Sequence, residues 1–458
     1  MKPIKFSWLI LITILVLQAC NMPVLQGSAD EQDIPAVTTR EPVSGPADVP
    51  PGNRIQPEDL TYLGAFRLPD ESGGSNWDYS GQGLTYYPGG DPQGADDGFP
   101  GSLYGFGHAH HLLISEINIP IPVVSQNLDD LNTAETLQPF TDITDGLFDP
   151  GAVDIPKADL EYLPPQGDQT TGKLHFVWGQ HFHLFDPSHG WSELDLSDPE
   201  AVGLWVFDGF TNYATSDYLF EIPESWANAY TPGLRLATGR FREGVWSGFG
   251  PALFAFGPWE DGSPPSANST LSAITPLLLY GIQEEANPEI ITDSSMMMNG
   301  YQESDHWWGG AWLTAGDSTA VVFVGTKAMG SSWYGFANGV VWPYDCADHT
   351  PSTCPEVPPE PYADRGFWAE DYQAQIIFYD PNQLAAVAQG EIEPYEPQPY
   401  ASLDLTSYLF DPSLDPAEYK RDLVGAAAFD REHGLLFIFE RLADDYKSVI
   451  HVFQVATD

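Results

Sequence analysis

The feature that most constrains this chain is a recurring order: four short apolar β segments broken by Gly, Pro and Asp turns, then four more. From residue 58 onward one set reads 62–68, 83–87, 102–107 and 112–117, and the last reads 401–405, 424–429, 435–439 and 449–453. Between them, one set starts near Leu137 and runs through 160–163, 174–178 and 204–207, and another ends with 312–313, 321–324 and 376–379. The stretch from Tyr218 to Phe256 supplies a less regular set, in which 234–239 suits a second or a third strand and 224–230 reads as a helix replacing a strand. Four strands make one antiparallel blade, so the pattern predicts an all-β fold, a β-propeller of about five four-stranded blades. Six blades and an irregular sandwich are the alternatives. The 43 Gly and 41 Pro supply turns, and an aromatic content of 13% supplies a large core. Asp380-Pro381-Asn382-Gln383 ahead of an apolar run reads as a capped short helix between blades.

The N-terminus has a different character. Lys2 and Lys5 lead into an apolar run, 6–17, that is too short to span a bilayer as a helix. It ends Leu17-Gln18-Ala19-Cys20, which resembles the lipobox of a bacterial lipoprotein signal. The resemblance covers only those residues. It implies a signal peptide at 1–19, cleavage before Cys20, lipidation of Cys20, and a protein anchored to a bacterial membrane, facing the periplasm or the cell exterior. Residues 20–57 then read as a lipidated Cys and a flexible Pro- and Asp-rich tether. A coil of that length reaches ~30–35 Å, and 58–458 form a single propeller-like domain.

With two of the 17 basic side chains inside the signal, 15 face 65 acidic ones in the mature chain, a formal charge of −50. That field excludes nucleic acid and repels anionic headgroups, so the membrane is reached only through the lipid. The carboxylates form either a solvated, aggregation-resistant surface or a cation-holding group. Cys346 and Cys354, close together in a Pro-rich loop of an exported chain, read as a disulfide, with a metal pair sharing His349 as the alternative.

With the strands of a unit called A to D, the A–B and C–D loops emerge on one face. They carry Gly107-His108-Ala109-His110-His111, Gly179-Gln180-His181-Phe182-His183, Lys327, Glu440-Arg441, the stretch 77–82 and the stretch 305–310, and so mark the expected functional face. His108, His110, His181, His183 and His306 are candidate ligands of a divalent metal, since imidazole suits Zn, Mn or Cu; loop packing is the alternative. No cofactor is otherwise indicated. Asp78 and Asp305 are the candidate catalytic carboxylates of a metal-assisted polysaccharide lyase or a hydrolase, with Glu161, Glu243 and Glu440 also near strand ends. Trp77, Gln82, Gln180, Trp307, Trp308, Trp333 and Tyr334 are candidate ligand-binding residues, because indole faces beside Gly stack on sugars; the alternative is filling the wedges between blades. Asp91, Asp96 and Asp97 offer oxygen ligands for Ca²⁺ or a solvated turn, and Met296, Met297 and Met298 offer thioethers or packing. The expected partner is a carbohydrate polymer bound on the loop face, with a surface protein docked there by a non-catalytic module as the alternative.

Overall fold

The computed structural model describes residues 54–456, apart from 95–96, 149–156, 180–183, 242–245, 285–289, 344–345, 347–353 and 416–419. The signal, Cys20, nearly all of the tether, and Asp96, Gln180, His181, His183, Glu243 and His349 lie outside the described residues. Five small antiparallel sheets form a five-bladed β-propeller. β1 (Leu60–Arg67) comes first in the chain. Blade 1 is β2 (Leu84–Tyr87), β3 (Ser102–Phe106), β4 (Ile114–Asn118) and β5 (Thr136–Thr141). Blade 2 is β6 (Lys157–Leu163), β7 (Lys173–Gly179), β8 (His189–Ser192) and β9 (Val202–Phe207). Blade 3 is β10 (Tyr218–Glu221), β11 (Leu236–Gly239), β12 (Leu253–Phe256) and β13 (Ile274–Leu278). Blade 4 is β14 (His306–Ala315), β15 (Ser318–Phe336), β16 (Arg365–Tyr379) and β17 (Ala401–Asp404). Blade 5 is β18 (Val424–Asp430), β19 (Leu435–Asp444) and β20 (Lys447–Val455), with β1 as its outermost strand.

That last pairing corrects the phasing expected from sequence. Residues 62–68 are the outer strand of the last blade, and each unit begins one strand later than the apolar pattern suggested. The strands were legible but their partners were not, because joining the two chain ends is a non-local pairing. The slip leaves the faces intact: loops entering the inner strands and loops between second and third strands still share one side. β8 was missed because His-Gly-Trp-Ser carries no apolar alternation. The helix at Glu224–Tyr230, α1, is inserted between β10 and β11 and replaces no strand. α2 (Pro381–Ala388), capped by Asp380 accepting from the Asn382 N–H at 2.9 Å, joins β16 to β17 within blade 4 and does not separate blades. Both helices lie on the face opposite the candidate site, where the Trp226 indole donates to the Pro381 carbonyl.

The inner strands β2, β6, β10, β14 and β18 touch in turn around the ring. Five wedge-shaped apolar cores separate the blades, one per interface. Phe106, Leu160 and Trp178 fill the wedge between blades 1 and 2, and Trp191, Trp205, Leu236 and Phe256 that between 2 and 3. Tyr218, Trp307, Trp312 and Phe323 follow, then Val324, Ile376 and Ile438, then Phe66, Trp77 and Phe437. The tether ends sooner than expected. Ile55 is buried in the wedge between blades 4 and 5, and its N–H bonds Thr319, so the folded body already includes residues before 58.

Two carboxylates lock the inner strands. Asp159 on β6 accepts the N–H of Leu84 at 3.2 Å and of its own neighbour Leu160 with Oδ1, and that of Leu219 at 2.9 Å with Oδ2, tying blades 1, 2 and 3. Two residues on, Glu161 accepts from the Thr85 hydroxyl at 2.8 Å and the Glu221 N–H at 3.0 Å. Burial pushes both carboxyls well above their ordinary range, opposed by these donors. Glu161 is therefore a structural bracket. Asp159→Ala leaves inter-blade N–H groups without acceptors and is expected to cost about 3 kcal/mol. Urea unfolding against the exposed control Asp198→Ala checks this, and a difference below about 1 kcal/mol would contradict the bracket role.

Candidate functional site

Each inner strand begins at one end of the central channel, so the residues opening these strands converge there from all five blades. They are Gln82 ahead of β2, Lys157 opening β6, Asp217 ahead of β10, His306 and Trp308 opening β14, and Asp422 ahead of β18. Arg240 follows β11 and Arg441 lies on β19, both on the same side. Pairing between β14 and β15 slips between Trp307 and Gly309, leaving Trp308 as the extra residue of a bulge. A bulge re-aims a side chain. Trp307 points into the wedge and Trp308 into the channel mouth. Gly309 permits this: a Cβ there would meet the Ala427 backbone N of β18 at 2.7 Å.

Charge is organised around that indole. Lys157 Nζ stands 4.1 Å and Arg441 Cζ 4.5 Å from the Trp308 ring centre, both within cation–π range. Blades 2 and 4 are not neighbours, so the Lys157–Trp308 contact spans the channel. Asp422 lies 2.8 Å from His306 Nδ1 with one oxygen and accepts from Arg441 Nη1 at 3.0 Å with the other. Asp217 lies 3.7 Å from Lys157 and 3.3 Å from Arg240. Burial alone would raise the Asp422 carboxyl; the charges and hydrogen bonds of His306 and Arg441, with Lys157 behind them, hold it far below the usual carboxylate range. Burial lowers the Arg441 guanidinium, against the pull of Asp422.

The other expected site residues are distributed differently. Trp77 and Trp307 are 0% exposed and belong to wedges, so their sugar-stacking role is replaced by packing. Gln82 is buried at the mouth, and its Oε1 has no partner among the described residues. Asp305 is fully buried and accepts from Lys327 Nζ at 2.7 Å, from the Ala328 N–H at 3.0 Å and from the Gln302 N–H at 3.0 Å. Burial raises its carboxyl, with Lys327 opposing, and all its bonds serve to hold the 302–305 turn. Asp78 is half-buried and accepts from the Asn76 amide at 3.0 Å. Glu440 takes the N–H groups of Phe410 and Asp411 and lies 2.8 Å from His451, well inside blade 5.

The described histidines do not act as one group. His108 stacks on His111 at 4.5 Å, with His110 at 5.6 Å and Tyr79 at 5.5 Å, on the β3–β4 rim. His108 Nδ1 accepts the His110 N–H at 3.2 Å, and burial, then the charges of His111 and His110, lower the His108 imidazole. His306 is held by Asp422. Among the described residues no three His, Cys, Asp or Glu side chains are grouped so as to hold a metal ion. Asp91 and Asp97 accept the N–H groups of Gln93 and Phe99 in turns, and Met298 packs in the wedge between blades 3 and 4.

Trp333 and Tyr334 sit on a second structure. β15 and β16 run past the blade, paired as far as Phe336 and Arg365, and form an arm on the site face. Trp333 faces Trp368 across the ladder, and Tyr334 faces Phe367 with rings 5.1 Å apart. Tyr334 is 40% exposed and Trp333 half-buried. The arm is braced by Arg421 over Trp368 at 5.1 Å and by Arg365 over Trp342 at 4.6 Å. Cys346 and Cys354, with Cα atoms 5.4 Å apart, are placed as a disulfide that packs on Phe336 and Trp342 at its far end.

The mouth charges Lys157, Arg240, Asp217 and Asp422 escaped sequence reasoning. For Lys157 and Arg240 the signal was scarcity: in a chain with 17 basic residues, a lysine or arginine at a strand end on the loop face carries information, whereas Asp217 and Asp422 are two among 65 acidic side chains. No family model matches this chain, and no curated protein matches it. Because Asp422 is held below its unfolded value of about 3.9, its contribution to stability is complete above that pH and lost as pH falls below it. Between pH 5 and pH 3 the wild type is expected to lose about 1 kcal/mol more than Asp422→Asn, measured by urea unfolding. Equal losses would contradict the charge-paired state.

Proposed function

We propose that this protein is an exported, lipid-anchored binding propeller that takes a carbohydrate on the face bearing the channel mouth and the aromatic arm. The observation that carries the reading is the arm. A globular chain ordinarily buries Trp and Tyr, yet here Trp333 and Tyr334 stand out from the blade on a braced ladder, with Tyr334 40% exposed. Flat aromatic faces of this kind complement the C–H face of a pyranose while its hydroxyls remain solvated. Rigid bracing by Arg421, Arg365 and the Cys346–Cys354 pair lowers the ordering cost of binding. The lipobox-like Leu17-Gln18-Ala19-Cys20 supports anchoring through Cys20 at a bacterial membrane, with the face free to meet extracellular glycans.

Two experiments test this. Trp333→Ala and Tyr334→Ala, changes at the surface of the arm, are expected to weaken binding to a responsive glycan by at least tenfold, about 1.4 kcal/mol. Affinity electrophoresis across neutral and acidic polysaccharides reads the effect, and an unchanged mobility shift in both variants removes the basis for the reading. For the anchor, labelled palmitate is expected to enter the wild type in cells and to be absent from Cys20→Ala, which should leave the membrane fraction. Labelling that survives the substitution would exclude Cys20 as the lipid site.

A further inference from the structure

We infer that the channel mouth seats a carboxylate of the ligand against Lys157 and Arg441, so that the carbohydrate bound is one with an acidic residue such as a uronate; the sugar part of this rests on the reading above. The chain carries 65 acidic side chains and 17 basic ones, yet Lys157, Arg240 and Arg441 converge from blades 2, 3 and 5 on one spot. All three are largely buried, Lys157 at 7% and Arg240 at 2% exposure. Among the described residues, the carboxylates paired with them are Asp217 and Asp422. The neighbouring Lys327 is neutralised by its own partner Asp305. Asp159, deeper along β6, is saturated by backbone donors, and burial favours its uncharged form.

Buried cations are held at low cost only when their charges and donors are matched. Here two donors at the mouth stand without an acceptor among the described residues. Arg441 bonds Asp422 through Nη1, while its buried Nε and the buried Nε1 of Trp308 have no acceptor among the described residues. Trp308 as a residue is half-buried at the opening, with these two nitrogens covered just beneath it. Gly81 lies flat on Arg441, where a Cβ would come within 2.8 Å of its Cγ, which leaves the guanidinium resting across the mouth. A carboxylate supplies two oxygens for these donors and completes the charge balance.

The surrounding field sets which acid is accepted. A chain with net charge −48 repels a densely charged polyanion at long range. Screening over about 8 Å at physiological salt removes most of that penalty for a single carboxylate that reaches the mouth. The inference is therefore of an isolated acidic residue in, or at the end of, a mostly neutral glycan.

Calorimetry on the full mature chain with glucuronate, glucose and acetate as probes tests it. Glucuronate is expected to bind at least tenfold more tightly than glucose. Lys157→Gln is expected to abolish that preference and Lys157→Arg to retain it, while thermal unfolding reports whether each variant is folded. Equal affinity for glucuronate and glucose in the wild type overturns the carboxylate seat and leaves carbohydrate binding on the arm standing. Acetate binding that depends on Lys157, with neither sugar adding affinity, supports the seat and overturns the carbohydrate reading. A preference for glucuronate that survives Lys157→Gln in the folded variant places the acid elsewhere and overturns the seat.

Discussion

The pairing of β1 with β20 is the interaction on which the rest of the molecule depends. The register runs from Leu60 opposite Val455 to Arg67 opposite Val449, so almost four hundred residues of chain must return before the first strand finds its partner. Each wedge core needs two blades, and in a closed ring every blade has two neighbours. Opening the ring would expose the wedge that holds Phe66, Trp77 and Phe437. The closure is reinforced off the ladder: Tyr62 of β1 bonds His451 of β20 at 3.0 Å, and His451 in turn reaches Glu440 of β19 at 2.8 Å. Arg67 adds a two-pronged pair with Asp444 at 2.8 and 3.0 Å. The mouth inherits this dependence. Asp422 and Arg441 belong to the last blade, Lys157 and Asp217 to the second and third, and they meet only because the circle closes.

What sequence reading could reach follows from the range of each interaction. Strand positions and the blade count rest on local apolar alternation, and they were legible. So was α2, whose Asp380 cap is a contact over two residues, and so was the nearness of Cys346 and Cys354. The phase of the blades was not legible, because an apolar strand such as 401–404 carries no mark distinguishing an outer strand from an inner one. Parity rescued the face, since shifting every strand by one exchanges loop names without moving a loop from top to bottom. Individual side chains were harder. Trp307 and Trp308 are adjacent and chemically identical, and one is buried in a wedge while the other lines the channel. The bulge that separates them arises from the β14–β15 register, which no property of the dipeptide encodes.

The buried carboxylates reveal how a strongly acidic chain keeps its centre intact. Asp159 and Glu161 project from one inner strand, where like charges would repel, and each is surrounded by backbone N–H or hydroxyl donors from adjoining blades. These donors are the groups that a short strand leaves unpaired on its channel side. Acidic residues therefore serve the fold directly, as acceptors that join inner strands which do not hydrogen-bond to one another as a sheet. The mouth lies only two residues up the same strand, at Lys157, and there the sign of the charge changes.

The mouth and the arm, on the same face, offer different chemistry. The arm offers aromatic faces, and its cations Arg365 and Arg421 are spent on Trp342 and Trp368. The mouth offers donors and positive charge, and its indole, Trp308, is occupied by Lys157 and Arg441 and so is not a stacking surface for a sugar. Neither element duplicates the other. If the proposed ligand is bound as inferred, a neutral pyranose would satisfy the arm and leave the mouth donors without acceptors, while a small acid would satisfy the mouth and leave the arm's aromatic surface in water. On that proposal, a ligand carrying both features would remove both penalties at once. On the proposed reading, discrimination on this face would come from what each partial ligand leaves unsatisfied, and the closed ring that fixes arm and mouth relative to one another would make it geometric.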